Sequence, residues 1–401
     1  MNVFIADKLP EKAILDLKNI GCNVLFKPGL KSSDLDEGLG DAQVLIVRST
    51  VVSGLCIKNS PSLSLIIRAG AGVNNIDMDA ASNFGIYVAN CPGKNAIAVA
   101  ELSMALILAL DRYIGDNVAD FRDGKWNKAG FSKADGIFGK TLGVIGTGEI
   151  GQEVIARARA FGMTVLAWSR SLTPEKAESL DIVYANNIEE VAGKCDVLTI
   201  HLALKPETRG VISREILAKL KDGAMLINTS RAEVVDEDAL YDELRSGRLK
   251  AGLDVFSDEP EFKTGEFQSR FQELDNVYIT HHIGASTAQA QMAVADDAVD
   301  IVRGYLQQGI VRNWLNRCEQ TDAPWQLVVR HYDKPGVIAN VMSELKEANI
   351  NAQELTNVIF DGKITACCTI QLDMKPSDHI LESIRTRQDE VISATLIPRK
   401  K

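Results

Sequence analysis

The sequence predicts an α/β protein: two Rossmann-like, doubly wound parallel-sheet domains, the first discontinuous, and a C-terminal ferredoxin-like βαββαβ domain. Three observations carry that expectation. Short apolar runs alternate with segments of helical period from Val3 to Val88, and the alternation restarts at Thr141 and continues to Thr280. A glycine-rich turn opens the second series. After a polar connector at Arg317–Pro324, the pattern becomes strand, helix, strands, helix, strand within the remaining chain. Alternating strand and helix signals imply parallel strands covered by helices on both faces.

In the first series the strands are expected at Val3–Ile5, Val24–Phe26, Val44–Val47, Leu65–Ile67 and Ile86–Val88. Pro10–Ile20 reads as a helix, with apolar positions at Ile14, Leu15 and Leu17. A long helix rich in Ala, Leu, Ile and Met follows over Asn95–Asp111, and Gly115–Gly139 reads as loop. Six strands are expected next, at Thr141–Ile145, Thr164–Ala167, Val197–Ile200, Ala224–Ile227, Ala251–Val255 and Val277–Thr280. Thr287–Gln307 has few breakers and reads as a second long helix. Two long helices bracketing the second sheet predict that the chain leaves the first domain, builds the second and returns. Residues 1–94 and 288–316 would form one domain, 95–287 the dinucleotide-binding domain, and 325–401 the third; two independent tandem domains are the alternative. In the third, Trp325–Arg330, Lys363–Leu372 and Val391–Ile397 are strands, and Gly336–Ala348 and Ser377–Arg387 helices.

At 401 residues, with about 150 per domain, two or three domains are expected. Hydrophobic residues at 46% and charged residues at 24% fit a globular chain rather than a disordered one. The net charge of −10 argues against general binding of nucleic acid or an anionic membrane, so an anionic ligand would need local arginines. Seven cysteines, none in C-x-x-C spacing, read as reduced thiols, and no metal is expected. Met1–Asp7 lacks the basic region and long apolar core of a signal peptide, and Leu102–Leu110 is too short to span a bilayer, so a cytoplasmic protein is expected.

Gly146, Gly148 and Gly151 fit G-x-G-x-x-G directly after an apolar strand and before a helical stretch. The first glycine makes the tight turn, the second lets backbone approach a pyrophosphate, and the third lets helix pack on strand. The phosphates would lie on free N–H groups at the helix N-terminus. About twenty residues on, an NAD-preferring site usually carries a carboxylate. Here the second strand runs into Ser169 and Arg170, a pair better suited to a 2′-phosphate, so NAD or NADP is expected with NADP accepted at least as well.

Three further segments carry polar residues at strand ends: Ile227–Leu240, Gly252–Pro260 and Thr280–Thr287. Their order, N-x-x-R, D-V-F…E-P and H-x-G-A-S after the glycine-rich loop, resembles the D-isomer-specific 2-hydroxyacid dehydrogenases over the first 310 or so residues. The resemblance implies Arg231, Glu259 and His282 as the catalytic set, although Ala232 stands where the family often has Gly and His281 where it usually has Pro. The chemistry agrees. Oxidising a 2-hydroxy acid needs a base of near-neutral pKa, a carboxylate to orient it, and a cation for the substrate carboxylate. The same resemblance places Glu149, Ile150, Leu202, Thr229, Asp254, Gly284 and Ala285 along the dinucleotide, with Asp254 as acceptor for the nicotinamide amide or, alternatively, as a strand-end cap.

Arg48 and Arg68 each follow an apolar strand and could bind a second anionic group. Ile67–Asp77, with Gly72 and Val73 offering backbone to a carboxylate, resembles the substrate-side loop of D-3-phosphoglycerate dehydrogenases. Arg330–Ile338 followed by Asn349–Asn351 resembles an ACT module, which implies an amino-acid effector at His331, Asp333 and Asn351; Asp333 replaces the Asn of serine-sensing members. A phosphorylated 2-hydroxy acid is therefore the expected substrate. The alternatives are a reductase for hydroxypyruvate, glyoxylate or another 2-keto acid, and a dinucleotide-sensing regulator without catalysis. The apolar excess of Asn95–Leu110 predicts a homodimer or homotetramer.

Overall fold

The computed structural model describes residues 1–257, 259–260 and 265–399; Asp258, within the predicted catalytic segment Gly252–Pro260, and the last two residues of the third domain lie outside them. The chain folds as two compact units, Met1–Asn316 and Arg317 onward. The first unit contains two parallel sheets. β1 (Asn2–Ile5), β2 (Asn23–Phe26), β3 (Val44–Val47), β4 (Leu65–Arg68) and β5 (Tyr87–Asn90) form a five-stranded sheet in the order β2-β1-β3-β4-β5.

Successive strand residues face opposite sides, so these nearly continuous apolar runs supply two cores. Val3, Ile5, Val44, Ile46, Leu65 and Ile67 meet Ala13 and Leu17 of helix Glu11–Asn19 on one face. Phe4, Leu45, Val47, Ile66 and Val88 meet Cys56, Ile57 and Ala81 on the other. Helix Ala288–Gln308 returns to the first face, where Val294, Ala295, Ala298, Val299, Ile301 and Val302 join the core. Thr287 caps its start by accepting from the Ala290 N–H, and Gly309 ends it in the left-handed conformation at φ 68°.

β6 (Thr141–Ile145), β7 (Thr164–Trp168), β8 (Val183–Tyr184), β9 (Val197–Ile200), β10 (Met225–Asn228), β11 (Lys250–Leu253) and β12 (Val277–Ile279) form the second sheet, ordered β12-β11-β10-β9-β6-β7-β8. Seven strands stand where six are predicted, because two-residue β8 is too short to leave a periodic signal. The strand order reverses between β6 and β9, the switch point at which open α/β sheets bind ligands beyond their strand ends.

One expectation is corrected here. Gly115–Gly139 is not simply loop: helices Ile114–Arg122 and Lys128–Phe131 lie within and around it. Neither buries a residue, so no apolar period marks them. Tertiary contacts hold the first instead, with the Tyr278 hydroxyl donating to Asp116 at 2.6 Å. On helix Ala96–Arg112, Ala100, Met104, Leu106, Ile107 and Leu110 pack into the core shared with β6 and β10, while Ile97 stays exposed.

The second unit is an antiparallel sheet of β13 (Trp325–Tyr332), β14 (Ala352–Ile359), β15 (Thr365–Leu372) and β16 (Val391–Pro398), ordered β14-β15-β13-β16. Helices Val337–Glu347 and Asp378–Arg385 cover its apolar face through Val341, Leu345, Leu381 and Ile384. All seven cysteines are free thiols.

Candidate active site

The glycine-rich turn joins β6 to helix Glu149–Ala160. Gly146 has φ 98°, and a Cβ there would run into the carbonyl oxygen of His201. A Cβ at Gly151 would strike the carbonyl oxygen of Gly146, so the helix can pack this closely only on glycine. Gly148 differs. Its φ is −69°, and a Cβ there would meet no protein atom within 4 Å. The protein's own packing does not call for a glycine there, and the space it leaves opens at the helix N-terminus. This is the arrangement a dinucleotide pyrophosphate requires.

The other dinucleotide candidates surround that turn. Leu202 packs beside Gly146. Ile150 is half-buried, and the carboxylate of exposed Glu149 lies beside Gly93. Ser169 shares a 2.8 Å hydrogen bond with Thr147, and Arg170 pairs with Glu207 at 3.1 Å on an exposed turn. The Thr229 hydroxyl bonds Ser103 of helix Ala96–Arg112 at 2.9 Å. Ala285 is half-buried. Asp254 is buried, and its carboxylate accepts from the Thr280 hydroxyl and from the Ile283 and Gly284 N–H groups at 2.6, 2.9 and 2.8 Å. Asp254 thus caps the strand end, and with three donors on two oxygens its carboxylate keeps acceptor capacity for a further group.

This capped loop presents His282, whose backbone is left-handed at φ 52° and whose N–H donates to the Asp254 carbonyl at 3.0 Å. His282 Nδ1 lies 2.6 Å from Glu259 Oε2. Glu259 Oε1 accepts in turn from the Phe256 N–H. The Glu259 hydrogen bond raises the imidazole pKa above its ordinary value, against the opposing effects of burial and of Arg231. Nε2 is left for a reacting group.

Arg231 follows β10, where Asn228 fixes the turn by donating to the Arg231 carbonyl and accepting from Ser230. One guanidinium nitrogen donates to the Ser230 carbonyl at 2.6 Å, and the other end lies against Gly72 of the first sheet's loop. A side chain at Gly72 would displace it. Val73 packs into the first sheet's core. Arg68, at the end of β4, is pulled down to about 10 by burial and by the nearby Arg231 and Arg48 guanidinium groups. Its Nε is buried without a hydrogen-bond partner among the described residues. Three arginines from three strand ends thus share one electrostatic environment, with Asp7 as its nearby counter-charge.

Two residues here escape sequence reading. Asp7, just beyond β1, accepts from the Arg48, Ser49 and Thr50 N–H groups at 2.7, 3.0 and 2.9 Å and so fixes the turn carrying Arg48. Burial raises its pKa, but those bonds outweigh it and the net shift is downward. His201, ending β9 under the glycine turn, shares a hydrogen bond with Thr199 at 2.9 Å, and burial pushes its imidazole down to about 3. His201 directly follows a predicted strand, which was its available signal, whereas Asp7, two residues beyond one, reads like any surface acid.

A family model described as the NAD-binding domain of D-isomer-specific 2-hydroxyacid dehydrogenases matches residues 104–284. The D-3-phosphoglycerate dehydrogenase of Methanocaldococcus jannaschii is 37% identical over 373 residues, 91% of this chain and 68% of that one. The hydroxypyruvate reductase of Thermotoga maritima is 41% identical over 301 residues, 74% of this chain and 96% of that one. The chain belongs to the D-isomer-specific 2-hydroxyacid dehydrogenase family. Among solved structures, the NAD⁺-bound 3-phosphoglycerate dehydrogenase of Entamoeba histolytica matches with a TM-score of 0.65 at 27% identity, covering 79% of this chain and 99% of that one. Among the described residues no helix is long and apolar enough to cross a membrane.

In the second unit, His331 is buried, with Nδ1 2.7 Å from the Tyr332 carbonyl and Nε2 3.1 Å from Asn357 Oδ1. Both ring nitrogens are used within the sheet. Asp333 and Asn351 are exposed, their N–H groups bonded to the Ile364 carbonyl and to Asp373.

Proposed function

We propose that this chain oxidises 3-phospho-D-glycerate to 3-phosphohydroxypyruvate, the entry step of L-serine synthesis. The observation that carries this reading is the arginine cluster beside the His282–Glu259 pair: Arg231, Arg68 and Arg48 share one electrostatic environment around a buried, unpartnered nitrogen. A single carboxylate would satisfy one arginine; a substrate with both carboxylate and phosphate suits three. Arg231 holds the C1 carboxylate, and Arg48 and Arg68 hold the phosphate. When bound, the nicotinamide dinucleotide supplies the two-electron acceptor for the C2 hydride. His282 Nε2 takes the C2 hydroxyl proton as the C2–O bond becomes a carbonyl, and Glu259 steadies the imidazolium that results. In reduction the same proton returns to oxygen.

Both NAD and NADP serve in this reading. Arg170 is available to a 2′-phosphate once it leaves Glu207, because an exposed ion pair is worth only about 0–1 kcal/mol. The boundaries 1–94 with 288–316, 95–287 and 325–401, a homo-oligomeric state and an amino-acid effector at the second unit belong to the same proposal. The experiment is a kinetic panel crossing both cofactors with phosphorylated and plain 2-hydroxy acids, with and without L-serine. A clear kcat/KM advantage for 3-phosphoglycerate over glycerate supports the assignment; equal values sink it. The 41% identity to a hydroxypyruvate reductase, across 96% of that enzyme, favours hydroxypyruvate reduction as the second reading.

A further inference from the structure

We propose that Glu237 is a positioning residue for the acid–base pair, acting from a different helix through Ser257. Glu259 lies beyond β11 on a segment whose placement decides whether its carboxylate meets His282. Two residues before it, Ser257 is gripped twice by one carboxylate. Glu237 Oε2 accepts from the Ser257 N–H at 2.8 Å, and Glu237 Oε1 accepts from the Ser257 hydroxyl at 2.5 Å.

Glu237 opens helix Glu237–Arg245, but it is not the helix cap. That task falls to Asp236, which accepts from the Ala239 N–H at 2.9 Å. The Glu237 carboxylate is thus free to turn toward Ser257, and its side chain is only 13% exposed. Arg270 holds it from the other side. Its Nη2 donates to Glu237 Oε1 at 3.2 Å and its Nη1 to Asp238 at 2.6 Å, while its guanidinium centre lies 5.0 Å from the Tyr241 ring and 5.5 Å from that of Phe271. An aromatic-backed arginine fixes a carboxylate, and that carboxylate fixes the backbone carrying Glu259. Phe256 completes the anchor: its side chain is buried, and its N–H holds Glu259 Oε1.

The consequence reaches the imidazole. With Glu237 gone, the Ser257 turn loses two charge-assisted bonds and Glu259 departs from the 2.6 Å contact that keeps His282 protonated to higher pH. Among the described residues, the charged groups acting on His282 are Glu259, Asp254 and Arg231, and Glu237 pairs with Arg270, which also holds Asp238.

The test uses the full chain with Glu237→Ala, Glu237→Gln and Ser257→Ala. The readouts are the NMR titration of the His282 imidazole, NADH affinity by fluorescence, and kcat against pH. For Glu237→Ala we expect kcat to fall about ten- to hundredfold with NADH affinity within about twofold of the parent's, as a misplaced catalytic group requires. The His282 titration and the matching kinetic limb should both move to lower pH. Glu237→Gln, which keeps one acceptor oxygen, and Ser257→Ala, which keeps the backbone bond, should move them less and in the same direction. A folded Glu237→Ala protein whose His282 titrates as in the parent overturns the proposal. If that variant does not fold, unmoved titrations in the two milder variants overturn it equally. The inference rests on His282 and Glu259 having the roles assigned above, yet the titration needs no turnover. A parent without activity on any 2-hydroxy acid would defeat the functional reading and leave the positioning question answerable.

Discussion

Replacing Glu259 with Gln separates the charge of the acid–base pair from its geometry. The amide carbonyl can still accept from His282 Nδ1, so the ring stays oriented while the negative charge disappears. The interaction removed is one charge-assisted bond of 2.6 Å. Bonds to charged groups contribute about 1.5–3 kcal/mol, and His282, with its side chain 51% exposed, belongs at the lower end. Because about 1.36 kcal/mol is a factor of ten in rate, the plateau kcat for oxidation should fall about tenfold. Glu259→Ala removes the acceptor too and should fall about a hundredfold, within the usual range for general acid–base assistance.

The pH dependence fixes the sign. In the proposed reaction oxidation needs His282 neutral, so its rate rises as pH passes upward through the imidazole pKa, which Glu259 raises. Removing the charge lowers that pKa, and the rising limb moves to lower pH. Reduction needs imidazolium, so its falling limb moves the same way. Asp254 and Arg231 remain in place with opposite effects and leave the direction intact. Initial rates with saturating cofactor, measured in both directions from pH 5 to 10, decide it. A limb that stays put in Glu259→Gln would mean that the titrating group is not His282 or that Glu259 is not its charge partner.

The remaining expectations follow from single contacts. Arg68→Met should cut kcat/KM for 3-phosphoglycerate about 10–100-fold and for glycerate far less, because it removes a charge-assisted phosphate bond; equal losses on both substrates would count against phosphate recognition there. Gly148→Ala should leave thermal stability within about 0.5 kcal/mol, since the new Cβ meets no protein atom, yet weaken NADH binding measured by fluorescence. Glu207→Gln should raise the NADP:NAD ratio of kcat/KM several-fold by releasing Arg170, and an unchanged ratio would place Arg170 away from the 2′-position. Asp7→Ala should cost about 3 kcal/mol of stability in urea unfolding at pH 7 by stranding backbone N–H groups. Asp7's folded-state pKa is depressed, so its contribution is present above the ordinary value of 3.8 and is lost as pH falls through the lower folded value.

The fold was legible wherever a burial pattern repeats. Val44–Val47 and Leu65–Ile67 are apolar on consecutive residues because both faces of a parallel sheet are covered, and that same coverage made them readable as strands. The signal failed where burial is thin. Helix Ile114–Arg122 buries nothing and is held by contacts such as Tyr278 with Asp116, a pairing 162 residues apart that no local window contains. β8, at two residues, offers no period at all.

The site divides along the same line. Groups that would touch substrate or dinucleotide, such as Arg231, His282 and Gly148, sit one to three residues past a strand, and there the parallel topology forces them toward a common edge. Their supports are defined instead by which distant backbone they hold. Asp7 grips a turn 41 residues away, and Glu237 grips one 20 residues away. Nothing in either local sequence separates such a carboxylate from a solvated surface acid, because the distinguishing property is a set of N–H groups delivered by another strand. Asp254 shows the boundary between the two kinds. Its place after β11 marks it as a site residue, but only the three donors converging on it from Thr280, Ile283 and Gly284 show that it builds the loop bearing the base. A residue's position on the sheet thus predicts that it belongs to the site, and its hydrogen-bond partners decide whether it acts on a ligand or on the groups that do.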